Sequence, residues 1–134
     1  MPRQTVWFIR ASLIYLLLGF TLGALILAQK GRPYDANVWL LLPVHIEFLL
    51  AGWLLQLVLG MAFWIFPRFG VGAPRGRENW ISVSFVLLNL GILLVVLQLW
   101  FPAALLVGRL AETAGILLYI AGSWARIKPL ALGS

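Results

Sequence analysis

Four long apolar blocks leave few residues of this chain for anything else. They cover roughly positions 8–28, 38–66, 80–100 and 103–124 of the 134 residues. A helix that crosses a bilayer needs about 20 mostly apolar residues, so each block is long enough to span a membrane. We therefore predict an all-α fold in which the whole chain, 1–134, is a single transmembrane domain folded as a four-helix bundle in a lipid bilayer.

The segments between the blocks carry turn signals. Positions 29–37 contain Gly, Pro, Asp and Asn, and Asn37 is placed to cap the second helix. Positions 67–79 are rich in Gly, Pro and Arg. The third connection is a tight corner around Pro102, which predicts that the third and fourth helices form an antiparallel hairpin.

The basic residues predict how the bundle is oriented. The chain has ten Lys and Arg residues and only four Asp and Glu. The basic residues lie at block edges and form no run, which argues against a nucleic-acid partner. One side of the bilayer would collect Arg3, Arg10, Arg68, Arg75, Arg77, Arg126 and Lys128, and the other Lys30, Arg32 and Arg109. Because cytoplasmic loops carry the excess of positive charge, both termini are predicted to be cytoplasmic, in the inner (cytoplasmic) membrane of a cell.

Small residues recur at helical spacing in the blocks. Lipid gives no hydrophobic drive for helix association, so such stripes usually mark faces that pack closely against another helix. In the first block the stripe is Ser12, Tyr15, Gly19 and Gly23; in the second it is His45, Leu49, Gly52, Gln56 and Gly60; in the fourth it is Gly108, Glu112, Gly115, Tyr119, Gly122 and Arg126. These Gly-rich faces predict a compact bundle, or contacts with other membrane subunits or a second copy of the chain.

Four ionisable side chains fall inside the blocks: His45, Glu47, Arg109 and Glu112. With the predicted topology all four lie at a similar depth, roughly 9–14 Å from the outer ends of their helices at 1.5 Å per residue. Ionisable groups are costly in lipid, so they are candidates for a polar site with His45 as ligand or proton carrier. The alternative is structural: Arg109 pairs with Glu112 one turn away or with Glu47 across the bundle, and His45 donates to a neighbouring carbonyl.

Two further features bear on this layer. His45 and Glu47 are two positions apart, about 200° around a helix, so at most one of them is expected to face any ligand. Gln56 and Asn89 lie nearer the middle of the membrane, where interhelical hydrogen bonding is the expected role of an amide.

The second block reads PVHIEFLLAGWLLQLVLGMAFWIFPR from position 43 to position 68. A His early in the helix, a following Gly-Trp, a later Gly and a terminal Pro-Arg resemble the small four-helix membrane proteins related to subunit I of heme-copper oxidases. Asn79-Trp80, Asn89-Leu90-Gly91 and Glu112 are also similar to that family. The likeness covers about positions 39–126.

This resemblance implies a role near respiratory or related electron transfer. It implies a b-type heme with His45 as iron ligand, or a quinone, at a polar layer of Glu47, Gln56, Arg109 and Glu112. Because the chain has a single His, a second heme ligand would have to come from another copy or another subunit. The absence of Cys excludes covalent c-type heme attachment and thiolate metal sites.

Three functions follow as expectations. The first is a small subunit or assembly partner of an electron-transfer complex, with no catalytic activity of its own. The second is a heme b or quinone binding protein that uses His45. The third is a small oligomeric transporter in which Glu47, Glu112 and Arg109 line a path, as intramembrane charges often do.

Overall fold

The computed structural model describes residues 1–68 and 75–127, and within these ranges the chain forms four helices. They are α1 (Arg3–Gly31), α2 (Ala36–Ile65), α3 (Glu78–Leu97) and α4 (Ala103–Ser123), with a final 3-10 turn over Trp124–Arg126. Each is long and apolar enough to cross a membrane, as the four blocks predict. Lys128, which contributes to the predicted charge asymmetry, lies outside the described residues.

The helix starts differ from the predicted ones for local reasons. α1 begins at Arg3 rather than near position 8, because its polar first turn is packed inside the bundle: Gln4 and Thr5 are buried. The predicted cap at Asn37 is wrong. The side chain of Asp35 caps α2 by accepting a 2.9 Å hydrogen bond from the Asn37 backbone N–H, because the helix starts at Ala36 in a 3-10 turn.

α2 changes its winding along its length. An α-helical segment over Leu42–Glu47 is followed by a π-helical segment over Phe48–Leu55 and a second α-helical segment over Gln56–Ile65. A π-helical turn holds an extra residue, so the buried face steps five positions, from Glu47 to Gly52, where an α-helix would step three or four.

The π segment corrects part of the predicted stripe on α2. Gly52, Gln56 and Gly60 are buried as predicted. Before the π segment, the buried positions are Val44 and Glu47, whereas His45 is half-buried, as is Leu49 within the segment. The prediction assumed one α-helical period throughout, and the wider winding displaces the face by one residue.

Two helical hairpins make up the bundle. In the first, Gly52 of α2 lies against the ring of Tyr15 in α1. In the second, α4 runs against α3 so closely that a Cβ on Gly108 would lie 2.8 Å from the carbonyl oxygen of Gly91. All six positions of the stripe predicted on α4 are buried. The Gly-rich faces are therefore taken up by contacts within the chain, and a partner would have to bind elsewhere.

The apolar core lies where the four helices meet, towards the end that holds the first turn of α1 and the last turn of α4. It consists of Phe8, Phe63, Ile81, Leu88 and Tyr119, and every helix contributes to it. Most other large apolar side chains point outwards, among them Leu17, Leu106 and Ile120. An apolar exterior is the surface expected of a bundle that faces lipid.

Candidate functional site

His45 faces α1 and is bonded to its backbone. Its Nδ1 lies 2.7 Å from the carbonyl oxygen of Gly19. Because a carbonyl can only accept, Nδ1 carries a proton, and in the neutral imidazole the lone pair is then on Nε2. The ring fits there because Gly23 has no side chain: a Cβ at that position would lie 2.6 Å from the imidazole Cε1.

The imidazole borders a shallow groove between α1 and the start of α2. The groove has a volume of about 250 Å³ and is lined by His45 and by Gly23, Ile26, Leu27, Lys30, Trp39 and Leu42. Pockets that bury drug-sized ligands measure roughly 300–1,000 Å³, so this groove alone is too small to enclose a heme. It is open on one side, where a neighbouring molecule could complete it.

A heme would find one axial ligand in this chain. A hydrogen bond from Nδ1 to a carbonyl is the arrangement that orients a metal-bound imidazole and leaves Nε2 for the metal. Met61, the other conceivable iron ligand on α2, is sixteen positions further on, about 24 Å away at 1.5 Å per residue. The residues present therefore fit one side of a heme, and the second ligand would have to come from another chain.

Glu47, Arg109 and Glu112 come together on the other side of α2. Arg109 Nη2 lies 2.7 Å from Glu47 Oε2, and Arg109 Nη1 lies 2.8 Å from Glu112 Oε2. Both carboxylates are buried, whereas the Arg109 side chain is half exposed. Of the two pairings open from the sequence, Arg109 makes both at once.

His45 and Glu47 thus point to different helices, as their angular separation predicts. His45 contacts α1, and Glu47 reaches Arg109 of α4. The predicted polar layer therefore divides into two parts, an imidazole beside a groove and a triad of charges inside the bundle. We refer to Glu47, Arg109 and Glu112 below as the charge triad.

Gln56 stands apart from the triad. Its amide bonds to Asn89 of α3 in both directions: Gln56 Nε2 donates to Asn89 Oδ1 at 3.3 Å, and Asn89 Nδ2 donates to Gln56 Oε1 at 3.2 Å. Gln56 is fully buried, so the pair satisfies polar groups that would otherwise be left in an apolar interior. The structure places Gln56 in this interhelical pair, away from the candidate ligand positions.

Two polar residues that the sequence marked only as parts of a stripe make the longest-range bonds. The Tyr119 hydroxyl donates to the Leu59 carbonyl at 2.6 Å. Arg126 is 1% exposed, and its guanidinium donates to the carbonyls of Phe63, Phe66 and Pro67 at the end of α2. A helix leaves its last carbonyls without partners, so Arg126 caps α2 from α4.

Arg75 adds a second cation at this end of the bundle. Its Nη1 donates to the Trp64 carbonyl at 2.7 Å, and its backbone N–H donates to Glu78 at 3.0 Å. Burial and then the nearby charge of Arg68 lower the pKa of Arg75, while Glu78 opposes the shift. An arginine stays protonated under such a shift, so the end of the bundle near the termini is positively charged.

Comparison of the chain with protein-family models, with curated proteins and with solved structures finds no match in any of the three. The likeness of positions 43–68 to heme-copper oxidase relatives therefore stays a resemblance of residues. The functional proposals below rest on the geometry of the side chains and on that resemblance.

Proposed function

We propose that this chain is a small multi-pass subunit or assembly partner of a membrane electron-transfer complex, held in the cytoplasmic membrane with both termini on the cytoplasmic side. It acts as a helical scaffold and has no reaction of its own. The resemblance of positions 43–68 gives the kind of complex, and the asymmetry of Lys and Arg gives the orientation.

One observation carries the scaffold role. The polar side chains within the helices bond across helix boundaries: His45 to α1, Gln56 to α3, and Tyr119 and Arg126 from α4 to α2. Polar groups used in this way hold helices together in lipid.

The test is purification of the tagged full-length chain in mild detergent from its native membrane, followed by quantitative mass spectrometry of the chains that accompany it. We expect redox subunits at a fixed ratio to this chain. A double variant, Tyr119→Phe with Gln56→Leu, removes the bond of Tyr119 to Leu59 and the bonds of Gln56 to Asn89. It should lose part of that yield, because the helices are held together less firmly. A chain that purifies alone and colourless would contradict the proposal.

A second candidate function is heme binding, and the hydrogen bond of His45 favours it. The bond from Nδ1 to the Gly19 carbonyl leaves Nε2 as the ring nitrogen for a ligand, and His45 lines a groove that a second copy or another subunit would have to close. When bound, heme would supply electron transfer, and this chain would supply an oriented imidazole and an apolar wall.

Visible spectra of the oxidised and dithionite-reduced protein distinguish the two candidates. A heme held by His45 predicts a Soret band that is lost in His45→Ala. The band should persist in Gln56→Ala, a buried polar residue that bonds Asn89 instead of facing the groove. A Soret band of equal strength in the wild type and in His45→Ala would place any heme on the partner and leave His45 structural.

A further inference from the structure

The charge triad holds one more negative charge than positive. Arg109 is paired with both Glu47 and Glu112, and both salt bridges among the described residues are made by this one guanidinium. If both carboxylates are ionised, the triad carries a net charge of minus one. A net charge inside a membrane bundle is strongly unfavourable unless something compensates it.

The excess negative charge of the triad lies on two buried carboxylates. Glu47 is 4% exposed and Glu112 is 7% exposed. Each uses Oε2 to accept from Arg109, and each has a second oxygen, Oε1, that is buried without a hydrogen-bond partner. Because both carboxylates contact the same guanidinium, they lie near each other. The two buried Oε1 atoms therefore lack a donor.

The surrounding helices do not provide that donor. From α1, the Tyr15 ring lies against Gly52, and its hydroxyl bonds neither Oε1. α3 presents Gly91 to the Glu112 side chain, and its one ionisable residue, Glu78, lies at the other end of the helix. On α2, His45 is turned towards α1.

We propose that Glu47 and Glu112 are a proton-binding site, in which the two carboxylates share one proton at neutral pH. The proton adds to the Oε1 of one carboxylate, and the resulting O–H donates to the Oε1 of the other. Both unpartnered oxygens are then satisfied, and the triad becomes neutral. Two buried carboxyl groups that flank a single guanidinium carry more negative charge than that cation balances, which is the physical basis of such sharing.

A proton can reach the site from the end of the bundle opposite the termini. Arg109 and Glu112 lie six and nine positions into α4, about 9 and 14 Å along the helix axis. The Arg109 side chain is 50% exposed, so the triad reaches the surface of the bundle at that depth, and the nearer helix ends are those opposite the termini. The site therefore binds a proton from one side of the membrane, whichever complex the chain belongs to.

Infrared spectroscopy of the full chain in lipid tests this inference. A protonated carboxylic acid has a carbonyl stretching band, distinct from carboxylate bands, that shifts in D2O. We expect one such group per chain at neutral pH. The band should vanish in Glu47→Gln and also in Glu112→Gln, because the remaining carboxylate is then balanced by Arg109 and ionises.

Two further variants guard against misfolding and misassignment. Glu78→Gln is the matched control, since Glu78 lies at the other end of α3, and it should leave the band unchanged. Arg109→Gln should increase the band towards two groups per chain, because both carboxylates then lose their cation. Helix content and elution volume establish that each variant is folded.

Three outcomes would overturn the inference. The first is a wild-type chain without the band at neutral pH, both carboxylates being ionised. The second is a band that survives in one of the single variants, because a lone residue would then hold the proton. The third is a melting temperature that rises with Na⁺ but not with Li⁺ or choline at constant ionic strength, which would assign the two oxygens to a metal cation.

Discussion

Arg126 carries a positive charge into the end of the bundle where α2 stops. It is almost fully buried, and it donates to the carbonyls of Phe63, in the last turn of α2, and of Phe66 and Pro67, just after it, with no carboxylate partner among the described residues. Hydrogen bonds from a charged group are about twice as strong as neutral ones, and carbonyls at a helix end have no other donor in an apolar setting. Arg126 therefore acts as a clamp between α4 and α2.

Arg126→Gln should lower the free energy of unfolding by about 2–4 kcal/mol, because it removes charge-assisted bonds to buried carbonyls. Unfolding by denaturing detergent, followed by helix content, measures the loss. Arg77→Gln is the control, since the Arg77 guanidinium lies over the Trp80 ring at the exposed start of α3. Equal stability of both variants would show that the carbonyls of α2 find other donors.

Gly23 decides whether the imidazole of His45 can reach α1. Gly23→Ala places a methyl group against Cε1 and should displace the ring from the Gly19 carbonyl, at a cost of about 1–3 kcal/mol. The nitrogen-15 NMR signal of the His45 ring reports the bond, and thermal melting reports the stability. In Gly31→Ala, where the added Cβ meets nothing within 4 Å, both readouts should stay close to the wild type. An intact Nδ1 bond in Gly23→Ala would contradict this packing.

At the scale of the element, α2 is the helix whose geometry the sequence did not reveal. The stripe on α4 follows one α-helical period from Gly108 to Arg126, so counting positions predicted six buried residues correctly and missed only the adjacent Ser123. Counting positions at the α-helical period gave the wrong buried face at the start of α2, because no residue type predicts the change to π winding at Phe48. The sequence could predict that Glu47, Arg109 and Glu112 lie at one depth. It could not predict that Arg109 bonds both carboxylates, because the position of Glu47 depends on the π winding.

The π segment behaves as an α-helix with one extra residue. Deleting Leu50, which is 58% exposed, would bring the step from Glu47 to the residue now at Gly52 down to four positions, as in an α-helix. We expect this deletion to keep the fold and the ion pair of Glu47 with Arg109, and to convert the segment to α-helix.

A deletion outside the π segment is the matched control. Val58 is 54% exposed and lies in the α-helical part of α2. Its removal turns Gly60 and Phe63 by about 100° away from the core, and should prevent folding. Backbone chemical shifts and detergent unfolding measure both variants. If deleting Leu50 were as damaging as deleting Val58, the π winding would be required by the packing itself.

At the scale of the whole molecule, α2 joins the two hairpins. Its bonds to α3 and α4 lie at several depths: Glu47 with Arg109, Gln56 with Asn89, the Leu59 carbonyl with Tyr119, and the last carbonyls with Arg126. Water does not compete for such bonds in lipid, so they fix the hairpins relative to each other. Because the two hairpins are fixed relative to each other, the orientation of the bundle is described by a single fact: which side of the membrane holds the end with the two termini.

That orientation is predicted by the positive charge near the termini, and the lack of Cys makes it measurable. Single cysteines can be placed at Tyr34, between α1 and α2, and at Arg77, beside α3 at the opposite end of the bundle; both positions are exposed. In intact cells, a membrane-impermeant maleimide should label Tyr34→Cys, whereas Arg77→Cys should react only after the membrane is opened. The reverse pattern would put the charge triad on the cytoplasmic half of the membrane, and its shared proton would then come from the cytoplasm.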